Sequence, residues 1–285
     1  MKNLMKLWAL AALIGFLAAC PTDGGGGGNP GFWGDTLTLS GQVYTMTMDM
    51  NPLSPSVTFD EFTGDLEIDD YCGGEGEIRG GMLSYSIGTP DSEYLQTLDP
   101  EYIVLSDYEN LRVSNEDVKG VILYSLPVDD DDYYGLSRRN ISINSRSTPI
   151  TGTSEQVAYV YVEEDLTVSG QGTTETDTDT TMIGNFLVTM TYTYITKNFN
   201  LALKAGWNAV YIKELTSAKY TVTDPISADI TMTETISLGN PSTLKWVMEA
   251  AGSDAESFAP VPKQGSMSNA PEIALKMLEW IRRNR

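Results

Sequence analysis

The stretch Asn185-Phe186-Leu187-Val188-Thr189-Met190-Thr191-Tyr192-Thr193-Tyr194-Ile195-Thr196 alternates threonine with apolar and aromatic residues. No other part of the chain constrains the fold as much. Successive side chains of a strand point to opposite faces, so a period of two predicts a strand with one packed face and one wetted threonine face. The pattern recurs along the chain. Gln156-Val157-Ala158-Tyr159-Val160-Tyr161-Val162 predicts a core strand, ended by Glu163-Glu164-Asp165. Residues 36–48 predict another, with Leu37, Leu39, Val43 and Tyr44 as candidates for burial and Gly41 expected to break the period as a bulge would. Val57-Thr58-Phe59 and Leu66-Glu67-Ile68 are shorter examples.

Turn residues divide these runs. Glu77-Ile78-Arg79 and Met82-Leu83-Ser84-Tyr85-Ser86-Ile87 flank Gly80-Gly81, the signature of a two-residue hairpin. Strands are also predicted over residues 102–105, 111–113, 118–124, 166–171, 220–223, 230–236 and 244–248. Phe199, Leu201 and Leu203 share a face; after Lys204-Ala205-Gly206, the residues from Trp207 to Lys213 are expected to pair back. This Leu-Lys-Ala-Gly-Trp-Asn-Ala-Val-Tyr run resembles a strand, turn and Gly-Trp-Asn strand recurrent in secreted bacterial β-sandwich proteins, a resemblance of structure that carries no activity. Frequent strands and turns predict an all-β fold, an antiparallel β-sandwich, with a C-terminal amphipathic helix.

The period fades between Thr89-Pro90 and Pro100-Glu101, which places a boundary between a β-rich module at 35–98 and a second sandwich module at 99–250. Leu166-Thr167-Val168-Ser169-Gly170-Gln171 echoes Leu37-Thr38-Leu39-Ser40-Gly41-Gln42, so a duplicated module and two uses of one strand pattern both stand. Asp129-Asp130-Asp131-Asp132-Tyr133-Tyr134 is expected to be a loop. Residues 172–181, rich in threonine and acid, are expected to be an exposed loop or a strand edge. Residues 251–270 predict a linker. In 271–285, Ile273, Met277, Trp280 and Ile281 form a helical stripe widened by Leu275 and Leu278. Asn269 and Glu272 have capping spacing, and the arginines fall in the last turn. This helix is expected to dock on the β body with its arginines meeting acidic surface; a membrane-surface or partner-binding helix is the alternative.

The N-terminus has a different character. Lys2 and Lys6 precede the short apolar run Leu7-Trp8-Ala9-Leu10-Ala11-Ala12-Leu13-Ile14-Gly15-Phe16, which describes a signal peptide over 1–19 and falls short of the ~20 apolar residues of a membrane span. Leu17-Ala18-Ala19-Cys20 then resembles the lipobox of bacterial lipoproteins. That resemblance implies cleavage before Cys20 and acylation of its thiol and new amine, with the membrane engaged through this lipid. The same resemblance implies export to an outer membrane over retention in an inner one, since Pro21 stands where an acidic residue retains other lipoproteins. The expected location is the cell envelope, periplasmic or surface-exposed. The glycines of 24–28 make 20–34 a flexible tether between lipid and body.

Composition removes competing functions. The 39 acidic residues against 18 basic ones oppose nucleic acid as a partner, and loss of Lys2 and Lys6 with the leader would deepen the imbalance. With no histidine, histidine-based triads, general bases and metal sites are unavailable. If Cys20 carries lipid, Cys72 has no disulfide partner in the chain. No Gly-x-Ser-x-Gly nucleophile elbow is present. No cofactor or catalysis is therefore expected. Asp129, Asp130, Asp131 and Asp132 are candidate calcium ligands only weakly, because a contiguous acidic block favours solvent over the turn-spaced oxygens of a calcium loop.

These features point to an envelope or surface interaction protein. A carbohydrate-binding lipoprotein is the alternative, with Tyr71, Tyr133 and Tyr134 as the candidate glycan-stacking residues because they stand beside turns and acids. A carboxylate-based glycoside hydrolase comes last, since nothing in the sequence singles out one acidic pair.

Overall fold

The computed structural model describes residues 31–45, 57–58, 66–68, 73–104, 108–128, 133–144, 147–183, 186–221 and 226–250. The expected leader, Cys20, Tyr71, Cys72, Asp129 to Asp132, the linker and the C-terminal helix lie outside them.

The first strands are β1 (Phe32–Gly34), β2 (Leu37–Thr45), β3 (Val57–Thr58), β4 (Leu66–Ile68), β5 (Gly74–Arg79), β6 (Met82–Ile87) and β7 (Gln96–Thr97). A short helix, α1 (Pro100–Val104), separates them from β8 (Glu109–Val113), β9 (Lys119–Leu123), β10 (Ser125–Leu126), β11 (Tyr133–Asn144) and β12 (Ile150–Val162). The chain continues through β13 (Leu166–Gln171), β14 (Thr174–Ile183), β15 (Phe186–Thr196) and β16 (Phe199–Leu203). It ends its described part with β17 (Gly206–Thr221), β18 (Ile226–Leu238) and β19 (Lys245–Ala250).

The described residues are nearly all β, in a sandwich-like arrangement of two sheets. The large sheet has the order β14-β15-β18-β17-β12-β11-β19-β2-β6-β5-β4, and the small one β16-β13-β8. Pairing is antiparallel except between β15 and β18 and between β19 and β2. It crosses the expected boundary near residue 98, through β7 on β9 and β2 on β19.

Two apolar clusters explain the layering. Val157, Tyr159 and Tyr161 of β12 join Leu37, Leu39, Leu83, Tyr85, Ile87 and Trp207 in one cluster. Val160 and Val162, on the other face, join Leu166, Val168, Leu201 and Leu203. The middle of the large sheet is therefore covered twice, by its own N-terminal strands turned over one face and by the small sheet on the other. A strand packed on both faces reads as a continuous apolar run, as residues 157–162 do. Indole N–H groups tie the first cluster together: Trp207 donates to the Gly88 carbonyl (2.7 Å) and Trp246 to that of Ser40 (3.2 Å).

The Gly80-Gly81 hairpin forms as expected, with Arg79 opposite Met82 and the glycines at φ of +56° and +75°. Several other expectations are corrected. Gly41 makes no bulge, because Ser40, Gly41 and Gln42 keep register with Ser84, Leu83 and Met82. Its missing side chain admits the Trp246 ring, which a Cβ would meet at 3.1 Å. Residues 102–104 are helical, not extended. Asp99 caps α1 by accepting from the Glu101 N–H (3.0 Å), and Pro100 pre-sets the first helical residue.

β16 and β17 do not pair with each other; they lie in different sheets. Between them Asn208 closes the turn, donating to the carbonyls of Lys204 (2.7 Å) and Gly206 (2.9 Å) and accepting from the Lys204 N–H (2.9 Å). β17 is one strand where two were expected. β11 was not anticipated, and it makes Tyr133 and Tyr134 strand residues instead of loop residues. Residues 174–183, of the two readings offered, form the edge strand of the large sheet.

Candidate functional site

Beyond the reach of the two clusters, β14, β15, β18, β17, β12 and β11 continue side by side, and one face of this extension is lined with hydroxyls. Register sets the rows. Thr176, Thr193, Thr231, Ser217, Thr151 and Asn144 stand opposite one another across the six strands. The neighbouring row runs Thr174, Ile195, Thr233, Leu215, Thr153 and Ser142. The residues 174–180 are exposed, and Thr189, Thr191, Thr193, Thr231 and Thr233 are half-exposed. Strand spacing and pleat set these positions about 4.8 Å apart across strands and about 6.7 Å apart along them. Hydroxyls both donate and accept, so this face offers many neutral hydrogen-bonding positions on a backbone whose own groups are paired in the ladder except along the outer edge of β14.

Where the hydroxyl face meets the first cluster, a polar group closes the core. Asn140, Glu155 and Lys213 are cross-strand neighbours in one row. Glu155 accepts from Asn140 Nδ2 (3.2 Å) and from the Tyr211 hydroxyl, and lies 3.3 Å from Lys213 Nζ. Burial works to raise the Glu155 carboxyl, but bonds from Tyr211, Asn140 and Lys213, with the lysine charge, hold it below the ordinary carboxylate range. Burial, and then the same contact, push the Tyr211 phenol up. This carboxylate is held ionised, paired with Lys213 and fully engaged. It anchors the edge of the core and is not poised to take a proton.

A carboxylate pair lies on the opposite face. Glu214 and Glu234 stand directly across from each other on β17 and β18. Burial raises the Glu214 carboxyl, opposed by a hydrogen bond from Thr216. Glu234 accepts from the Tyr108 hydroxyl (3.0 Å). Among the described residues, no group of three or more His, Cys, Asp or Glu side chains could hold a metal ion.

Of the residues selected from sequence, Cys20, Tyr71 and Asp129 to Asp132 lie outside the described part. Tyr133 and Tyr134 are placed by backbone at the start of β11, with Tyr133 opposite Ala250. The threonines of β15 were legible as a wetted face. The glutamates at 155, 214 and 234 were not, and the one signal they offered was an acid set inside an otherwise apolar or hydroxyl-bearing strand. No known family model, curated protein or solved structure matches the chain.

Proposed function

We propose that this chain is a lipid-anchored, extracytoplasmic interaction protein without catalytic activity, held to the cell envelope through acylated Cys20 and binding its partner through the hydroxyl-lined face of β14, β15, β18 and β17. The observation that carries the binding role is the register of that face, which lines up hydroxyl side chains across adjacent strands. Support for the anchor comes from Leu17-Ala18-Ala19-Cys20 and the glycine tether after it. A partner rich in neutral hydroxyls and amides suits such a surface better than an anionic one, which the acidic surplus repels. The same chemistry favours a carbohydrate ligand as the second reading.

Two measurements test this. Mass spectrometry of the native N-terminus should find an acylated Cys20 as the first residue, and protease added to whole cells reports which side of the envelope the body faces. An intact Met1, or a Cys20–Cys72 disulfide in the native protein, overturns the anchor. For the face, the combined change Thr189→Val, Thr191→Val and Thr193→Val keeps shape and strand propensity while removing hydroxyls. Retention on envelope polysaccharide or envelope protein fractions should fall at least tenfold with unchanged circular dichroism. Full retention overturns the assignment of this face.

A further inference from the structure

The strands that carry the hydroxyl face have a second face that the proposed binding role leaves unused. Val188, Met190 and Tyr192 of β15, Ala228, Ile230 and Met232 of β18, and Ala218 of β17 stand together on it by register. They are as inaccessible as any core residue: Ile230 and Ala228 are 1% exposed, and Val188, Met190 and Met232 are 3% exposed. Yet neither apolar cluster of the described residues includes them. The small sheet meets the other half of this face, where Val210, Ile212 and Ile236 join its cluster. Large apolar side chains standing on an open sheet in water would not be so buried. They need a cover from this chain.

Charge and chain length indicate which segment provides it. Glu175, Asp177 and Asp179 of the edge strand lie on the same face, opposite Tyr194, Tyr192 and Met190, and all three are exposed. They form an acidic rim along one side of the apolar area. The phenols beside the rim behave accordingly: burial, then Asp179 and Asp177, raise Tyr192, and burial, Tyr192, Asp177 and Glu214 raise Tyr194. After Ala250, residues 251–285 follow. The stripe Ile273, Met277, Trp280 and Ile281 would be flanked along one side by Lys276 and Arg283, seven residues and about two helical turns apart, with Glu272 and Glu279 farther from the stripe on that same side. A helix over 271–285 would be about 22 Å long. The acidic rim from Glu175 to Asp179 runs about 13 Å along β14, so a helix lying parallel to that strand keeps Lys276 and Arg283, about 10 Å apart along its axis, beside it. Residues 251–270 can reach up to about 66 Å when extended, more than the distance across the sheet.

We propose that residues 271–285 dock as an amphipathic helix on this face, laying Ile273, Met277, Trp280 and Ile281 over Ile230 and its neighbours and turning Lys276 and Arg283 toward the carboxylates of β14. The C-terminus thereby belongs to the body and is withheld from the membrane to which the N-terminus is proposed to be tied. This placement does not depend on the binding role of the hydroxyl face or on lipidation.

The test uses the full chain. Zero-length carbodiimide coupling followed by peptide mass spectrometry should join Lys276 to Glu175, Asp177 or Asp179, and an equal mixture of light and heavy isotope-labelled protein should give only unmixed pairs. Mixed pairs would show that a second copy supplies the helix and would overturn the proposal. Hydrogen exchange on the double variant Met277→Asp and Ile281→Asp gives a readout that needs no cross-link. Amides of β15 and β18 should exchange at least tenfold faster, with β2 and β6 unchanged. Unchanged exchange in β15 and β18, or binding of the intact chain to phosphatidylcholine/phosphatidylglycerol vesicles through residues 271–285, would overturn it.

Discussion

Glu155 and Glu214 point to opposite faces of the same part of the sheet, and burial works to raise both carboxyls. The outcome differs because Glu155 has Tyr211, Asn140 and Lys213 as donors, whereas Glu214 has the Thr216 hydroxyl. The signs of their pH effects are therefore opposite. Glu155, depressed in the fold, contributes stability that is present above its unfolded value and lost as pH falls through its folded one. Glu155→Ala should cost about 1–3 kcal/mol at neutral pH, by leaving half-buried partners without their acceptor. Urea unfolding should show that deficit shrinking below pH 4. Glu214, raised in the fold, favours the folded state below its unfolded value of 4.5 and loses that contribution as pH rises through the folded value. Glu214→Gln should thus raise the unfolding midpoint at neutral pH and give no gain in acid. Asn208 is fully buried and satisfies three backbone groups of its own turn. Asn208→Ala should cost on the order of 3 kcal/mol in the same unfolding measurement, since neither those groups nor water can replace the amide.

Among the elements, β15 and β12 show how far alternation reaches. In β15, Val188, Met190 and Tyr192 are buried while Thr189, Thr191 and Thr193 face solvent in part, as the sequence period required. In β12 the same period sorts side chains between two cores, and no residue from 157 to 162 is exposed. The period separates the two faces in each case; whether the second face is wet depends on what packs there. The β5–β6 hairpin rests on a different local constraint. Tyr85 lies over β5, and a Cβ at Gly76 would meet its Cδ2 at 2.6 Å and the Ser84 carbonyl at 2.8 Å. Gly76→Ala should therefore destabilise by about 1–3 kcal/mol, the usual cost of overpacking, seen as a lower melting temperature. Gly80→Ala meets no atom within 4 Å but must hold φ at +56°, so a loss of about 1 kcal/mol is expected.

At the scale of the whole molecule, the large sheet carries the chain from its first described strands to its last. β2 lies between β19 and β6, and Trp246 of β19 stacks on Tyr159 while its indole reaches Ser40. A side chain shared by elements from both ends couples their unfolding. Calorimetry on the full chain should then give one transition whose calorimetric and van't Hoff enthalpies agree. Two resolved transitions would mark the regions either side of residue 98 as separate modules. Trp246→Ala should lower that single transition, by about 3–5 kcal/mol, without splitting it.

The amino-acid sequence by itself determined the β class, the turn at Gly80-Gly81 and which side of β15 would be apolar. Each is written in neighbouring residues: a side-chain period of two, or two glycines able to take positive φ. The threonine half of the candidate site was legible for the same reason. Its extension across β18, β17, β12 and β11 was not, because register joins residues far apart in the chain. Tertiary structure alone decided that β16 and β17 part into different sheets and that β11, with Arg138 buried under Trp246, is a strand at all. It also decided that Glu155 is held charged and Glu214 is not favoured so. Those outcomes depend on which distant side chains supply donors and exclude water, and no local pattern in the sequence encodes either.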